Sequence, residues 1–263
     1  MLLKDKVAVV YGAAGAIGSA VASAFAREGA TVFLTGHRKS AVETIARDIV
    51  SAGGTAEAAE VDALDEQAID RHLQSVIDAA GRVDISFNAL GIADDRILGV
   101  PLTKLGVEQF ALPIAAYTTS YFLTSRLAAR RMIANKAGVI MTVTALPGRT
   151  GTPLNGGYGA AMAAKEALTR DLSLELAPQG IRVVGLRPHG MPETRTMTEV
   201  FDLKAKASGM KWDQFTGYLA STTHPRRVMR LEEVASMAVF LASDRASGIT
   251  GSTVNLTMGA VAD

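Results

Sequence analysis

Seven short apolar runs, separated by longer stretches of helical period, constrain this chain more than anything else in it. The runs are Val7–Tyr11, Thr31–Thr35, Thr55–Val61, Val83–Asn88, Gly138–Thr144, Ile181–Arg187 and Thr253–Leu256. Most are rich in Val, Ile and Ala and are apolar on both faces, as a parallel strand must be when helices cover it above and below. The helical stretches are Ile17–Glu28, Ser40–Ser51, Asp65–Ala79, Leu105–Asn135, Tyr158–Ala177 and Leu231–Ala242. Repeated strand–helix alternation predicts an α/β fold, a doubly wound seven-stranded parallel sheet with helices on both faces. No linker, low-complexity tract or internal repeat divides the 263 residues, so residues 1–263 read as a single domain.

One stretch breaks the alternation. Thr194–His224 is helical in places and carries Met197, Phe201, Leu203, Met210, Trp212, Phe215 and Tyr218. It reads as an extra helical pair burying its apolar face, as a lid over a substrate pocket, or as both.

Composition excludes several classes of function. The formal charge is +1, which argues against a nucleic-acid or membrane footprint. With no cysteine there are no disulfides, thiolate nucleophiles or Cys-ligated metals. Charge at Met1–Lys6 stands where a signal peptide needs apolar residues, and no run of about 18 apolar residues is present. The expectation is a cytoplasmic protein that acts on a small molecule.

The first strand runs directly into Tyr11-Gly12-Ala13-Ala14-Gly15-Ala16-Ile17-Gly18, which opens the first helix. Glycine is needed where backbone turns sharply or approaches a pyrophosphate, and the first amides of the following helix then face the phosphates. Gly12, Ala14, Gly15, Ile17 and Gly18 are therefore candidate dinucleotide-binding residues. The alternative is a merely structural turn. The second strand ends in Gly36-His37-Arg38-Lys39. An acid at this place would receive the adenosine ribose hydroxyls. A cationic cluster without one favours a 2′-phosphate, so NADP(H) is expected in preference to NAD(H), with His37 and Arg38 as contacts. Asp62, just past the third strand, suits either the adenine amino group or a helix N-cap.

The rest of the chain resembles the short-chain dehydrogenase/reductase family over nearly its whole length. Asn88-Ala89-Leu90-Gly91 resembles the element after that family's fourth strand. Tyr158-Gly159-Ala160-Ala161 is similar to the start of its Tyr-x-x-x-Lys helix. Leu174-Glu175-Leu176-Ala177-Pro178-Gln179-Gly180-Ile181-Arg182-Val183, Glu232-Glu233-Val234-Ala235 and Phe240-Leu241-Ala242-Ser243-Asp244 look like its later motifs. The resemblance implies a Rossmann-type fold and cofactor contacts at Asn88, Ala89, Gly91 and Pro188. It also implies a homodimer or homotetramer paired through the two long helices.

The resemblance breaks down at the catalytic positions. Tyr158 matches the family tyrosine that exchanges a proton with the substrate oxygen. The lysine position holds Met162, the serine position Ala145 and the asparagine position Tyr117. The family's Pro-Gly after the sixth strand is Pro188-His189 here. Without an ammonium beside it, Tyr158 is expected to stay near the ordinary phenol pKa of about 10. Alcohol oxidation needs a base and should suffer most, whereas reduction needs only a protonated donor.

Candidate stand-ins are Thr144, His189 as a proton donor or polariser, and Arg149 as a site for an anionic substrate group. Lys165, about 10 Å further along the helix axis, reads better as a subunit contact or surface charge. Two functions stay open. One is an NADP(H)-dependent reductase of a carbonyl, imine or activated double bond. The other is a redox-silent member of the family, acting as an isomerase, a cyclase or a cofactor-binding regulatory or scaffold subunit.

Overall fold

The computed structural model describes residues 1–92, 97–193 and 195–262. The seven strands are β1 (Val7–Tyr11), β2 (Thr31–Gly36), β3 (Thr55–Glu60), β4 (Ile85–Asn88), β5 (Gly138–Val143), β6 (Ile181–Pro188) and β7 (Ser252–Leu256). They pair in parallel in the order β3-β2-β1-β4-β5-β6-β7. The helices are α1 (Ala16–Arg27), α2 (Lys39–Ser51), α3 (Glu66–Ala80), α4 (Val107–Met132), α5 (Tyr158–Leu176), α6 (Arg195–Ala207), α7 (Trp212–Ser221) and α8 (Leu231–Ala242). The doubly wound sheet with helices on both faces is therefore as the alternation of runs predicts.

Boundaries move where local chemistry overrides period. The fourth helix starts at Val107 because Gly106 is its N-cap and Leu102–Lys104 forms a separate short turn. The third helix is capped by Asp65, whose Oδ1 accepts from Gln67 N at 2.8 Å and Ala68 N at 3.1 Å. That removes the helix-cap reading of Asp62, which instead accepts from Leu64 N at 2.8 Å.

Two apolar cores lie on the two faces of the sheet. One packs α1, α2 and α8 around Val10, Phe25, Leu34, Phe87 and Val239. The other packs α3, α4 and α5 around Val9, Tyr11, Leu73, Tyr121 and Ile140. The interior strands β1 and β4 are buried along their whole length, which is why they carry no alternation. The Thr194–His224 stretch forms α6 and α7, except that Thr194 lies outside the described residues. Phe201 and Trp212 gather around the buried Phe215, at ring distances of 6.1 and 6.5 Å. Apolar burial between helices is thus present in this stretch.

His72 on α3 is a buried polar exception. Its ring meets Phe33 edge-on at 6.4 Å, and burial lowers its pKa to about 4. Between about pH 4 and 6.5 the unfolded chain holds a proton on this residue and the folded chain does not. Stability therefore rises with pH through that window. Urea midpoints taken across it should fall on acidification, by at most about 3 kcal/mol from this group. His72→Phe should flatten that part of the curve.

Candidate cofactor and active site

Strand order reverses between β1 and β4, and the loops that follow these strands diverge to opposite sides of the sheet. A crevice opens there at the carboxyl ends of the strands. Tyr11 pairs with Asn88 across this point, and Ala89 N donates to Tyr11 O at 3.0 Å. Gly12 sits against the second loop with φ +72°, and a Cβ there would lie 2.5 Å from Ala89 O. Only glycine fits both the conformation and the approach. A Cβ at Gly18 would lie 2.4 Å from Gly12 O, so the turn folds tightly onto the first helix.

The N-cap of α1 is Gly15, with no side-chain cap and no acid in the first turn. The contrast with the Asp65 cap of α3 is direct. A helix end that offers amides with no side chain to satisfy them is suited to an anion. Ala14 is exposed over this end, and Gly15 and Ile17 are half-buried beside it. The residues present thus fit a dinucleotide pyrophosphate.

At the end of β2, Gly36 is buried against Val42 and Ala14. His37 Nε2 lies 3.5 Å from Asp62 Oδ1, which joins two residues that sequence reading treated separately. Lys39 lies 3.7 Å from Glu43. Arg38 is exposed, and among the described residues its guanidinium has no such carboxylate.

Asn88 does not present its amide to the crevice. It is 1% exposed, and its Nδ2 donates to Ser120 Oγ at 2.9 Å and Thr124 Oγ1 at 3.1 Å, fastening α4 to β4. Gly91 is exposed further along the same loop. Pro188 is buried at the end of β6.

Tyr158 opens α5, half-buried. The segment before it threads under the start of α4: a Cβ on Gly157 would lie 2.0 Å from Phe110 O, so this approach requires glycine. The Tyr117 ring meets that of Tyr158 edge-on, with centroids 5.6 Å apart at 77°. Its hydroxyl accepts from Ile92 N at 3.4 Å. Met162 is 2% exposed, and Ala145 is half-buried at the end of the strand. Tyr117 is thus in contact with the Tyr158 ring, and Met162 follows Tyr158 by one turn of α5.

The stand-in residues fare differently. Thr144 is 3% exposed, and its hydroxyl lies 3.1 Å from Glu166 Oε1 and 3.3 Å from Leu186 O. Glu166 is held in turn by Arg187, with Nε to Oε1 at 2.7 Å and Nη2 to Oε2 at 3.0 Å. The Thr144 hydroxyl is therefore committed to this buried pair between α5 and β6. His189 is 3% exposed, its Nε2 lies 3.0 Å from Thr222 Oγ1, and burial lowers its pKa. It ties the end of β6 to the end of α7. Arg149 is exposed in the loop between β5 and α5.

Lys165 requires a correction. It is 1% exposed, not a surface charge or subunit contact. Its Nζ donates to Val143 O at 2.8 Å and lies 5.7 Å and 5.6 Å from the rings of Tyr117 and Tyr121. Burial lowers its pKa to about 7. Seven residues from Tyr158 is two helical turns, so both side chains share a face, and that face turns inward. The shared phase was readable in the sequence, but the side it faces was not.

Comparison with known proteins decides the family. Residues 12–260 match the family model described as enoyl-(acyl carrier protein) reductase. The chain is a short-chain dehydrogenase/reductase. It is 31% identical over 260 residues to an uncharacterized oxidoreductase, YxbG, of Bacillus subtilis, covering 99% of this chain and 92% of that one. It is 31% identical to a 3-oxoacyl-[acyl-carrier-protein] reductase of Synechocystis, covering 98% of each. Among solved structures, NAD⁺-bound xylitol dehydrogenase superposes with a TM-score of 0.90 at 26% identity, covering 97% of this chain and 99% of that one. Sorbitol-6-phosphate 2-dehydrogenase of Erwinia amylovora superposes with a TM-score of 0.91 at 27% identity, covering 97% and 100%. This short-chain dehydrogenase/reductase belongs to a family of oxidoreductases whose members bind nicotinamide cofactors.

The Glu166–Arg187 pair supports the strand end beneath the site. Removing one partner of a buried ion pair leaves the other charge uncompensated. Glu166→Ala should lower stability by about 3–5 kcal/mol in denaturant titrations. The double replacement by methionine at Glu166 and Arg187 should recover most of that loss.

Proposed function

We propose that this chain is an NADP(H)-dependent reductase of a carbonyl, imine or activated double bond, with Tyr158 as the proton donor. The observation that carries this reading is the uncapped, glycine-cradled start of α1. Tyr158 stands at the carboxyl edge of the same sheet. The 3-oxoacyl-[acyl-carrier-protein] reductases among its relatives support the reductive direction.

Gly12, Ala14, Gly15, Ile17 and Gly18 would hold the pyrophosphate. His37 and Arg38 would receive the 2′-phosphate, and Asp62 would receive the adenine. Ala89, Gly91, Pro188 and the backbone of Asn88 would line the path to the nicotinamide. A bound nicotinamide supplies hydride. The part of the protein is to hold the acceptor near Tyr158 and to deliver a proton from its hydroxyl. A neutral phenol does this without first losing a proton, so reduction tolerates the apolar surroundings of Met162 and Ala145 better than alcohol oxidation does. An electrophilic acceptor such as an imine or enone needs the least assistance. His189, tied to Thr222, and the exposed Arg149 stand as second-line candidates for the acceptor's polar groups. We take α6 and α7 as the lid of this pocket, and the exposed Phe122 of α4 and Leu174 of α5 as part of a subunit interface.

A second reading, a redox-silent member of the family, draws on Ala145 and Met162, which bring neither hydroxyl nor ammonium to Tyr158. Nicotinamide fluorescence with NADPH and NADH, followed by absorbance with a panel of ketones, imines and enones, separates the two. NADPH binding with oxidation by at least one acceptor is the expected result. Failure to bind either cofactor overturns the reductase reading, and binding without oxidation favours the silent one. Arg38→Ala should weaken NADPH about tenfold or more while leaving NADH nearly unchanged, since it removes one charge-assisted phosphate contact. Equal losses for both would remove the phosphate role.

A further inference from the structure

Lys165 takes no part in the chemistry above, yet it lies directly beneath it. Its amine is buried in the second core, where a methionine or leucine of like volume would avoid the cost of removing an amine from water. No carboxylate among the described residues pairs with it. The β5 strand, which receives its hydrogen bond at Val143 O, carries no ionisable side chain in Gly138–Val143. From α4 it meets the rings of Tyr117 and Tyr121. On its own helix, Glu166 is engaged by Arg187 of β6, and Tyr158 lies two turns before it. A link from this amine to Tyr158 runs through the ring of Tyr117, which lies against Nζ and edge-on to Tyr158.

We propose that Lys165 is a positioning residue for Tyr158: it sets the ring of Tyr117, and through it the tyrosine, according to whether its buried amine carries a proton. The inference rests on Tyr158 being the proton donor. When protonated, the ammonium is drawn to the faces of Tyr117 and Tyr121 by their ring quadrupoles, an attraction that strengthens out of water. When neutral, it keeps its bond to Val143 O and loses most of that attraction, so the Tyr117 ring is held less firmly. Burial brings the amine's proton loss to about pH 7, so the change falls within the neutral range. The direction follows: proton donation by Tyr158, and with it NADPH oxidation, rises as pH falls through this value.

The coupling can be read without a substrate. In protein carrying ring-labelled tyrosine, with resonances assigned from Tyr117→Phe and Tyr158→Phe, the signals of Tyr117 and Tyr158 should shift together with one midpoint near pH 7. Lys165→Met should abolish both shifts. Tyr117→Leu should abolish that of Tyr158 while leaving the lysine in place, and this variant tests the link even if Lys165→Met does not fold. Turnover of NADPH with the best acceptor should rise by roughly threefold on acidification across the midpoint, and should be flat in Lys165→Met. No inflection in the parent protein, or an inflection that survives Lys165→Met, overturns the proposal. A shared, lysine-dependent inflection in a protein that oxidises no NADPH supports the coupling and overturns the reductase reading instead.

Discussion

The pairing of β1 with β4 is the contact on which the rest of the site depends. These two strands are adjacent in the sheet but far apart in the chain, and the helices that follow them leave on opposite faces. Their ends cannot be covered by either helix, so a crevice forms by topology before any side chain is considered. The backbone then closes that crevice to molecular dimensions. Ala89 N is bonded to Tyr11 O, and the Ala89 carbonyl lies where a Cβ on Gly12 would be. The glycine turn is thus held by the fourth strand as much as by its own sequence. The first helix, anchored on that turn, begins at the crevice with no side-chain cap.

Several buried polar groups tie together the elements that carry Tyr117 and Tyr158. The Tyr117 ring meets that of Tyr158 edge-on, and buried among α4, α5 and the strands they cover are the Asn88–Ser120–Thr124 cluster, the Thr144–Glu166–Arg187 group and Lys165. Each of these fastens one element to another: α4 to β4, α5 to β6, and α5 to the end of β5. The elements that carry Tyr117 and Tyr158 are thus fixed by buried hydrogen bonds. Buried networks of this kind favour one arrangement because leaving any member unpaired costs more than the pair gains.

Much of this was legible in the chain. Most of the apolar runs carried the mark of a parallel strand covered on both faces. The spacing from Gly12 to Gly18 pointed to a turn that approaches something closely, and Tyr158 stood out from the motif around it. Thr144 was harder: next to a strand end, its hydroxyl could have faced either side, and partners on α5 and β6 decided it. Lys165 was misread for a related reason. Helical period shows that Lys165 and Tyr158 share a face, but a lysine is so costly to bury that period alone points it to a subunit contact or the surface. The pairing of His37 with Asp62 could not be read at all, because it joins loops after two different strands.

What the sequence determined by itself is therefore local and periodic. It includes the strands, the helices, the bare glycine turn, the absence of an acid after β2 and the residue types at Tyr117, Ala145, Tyr158 and Met162. What the tertiary structure decided is which of those residues face one another. It turned Thr144 and Asn88 inward, joined His189 to Thr222, and placed the Lys165 amine under the Tyr117 ring. The physical reason is that period is set by bond geometry within one segment. The partner of a buried polar group comes from another segment and is settled only when the sheet closes and every such group must find a bond.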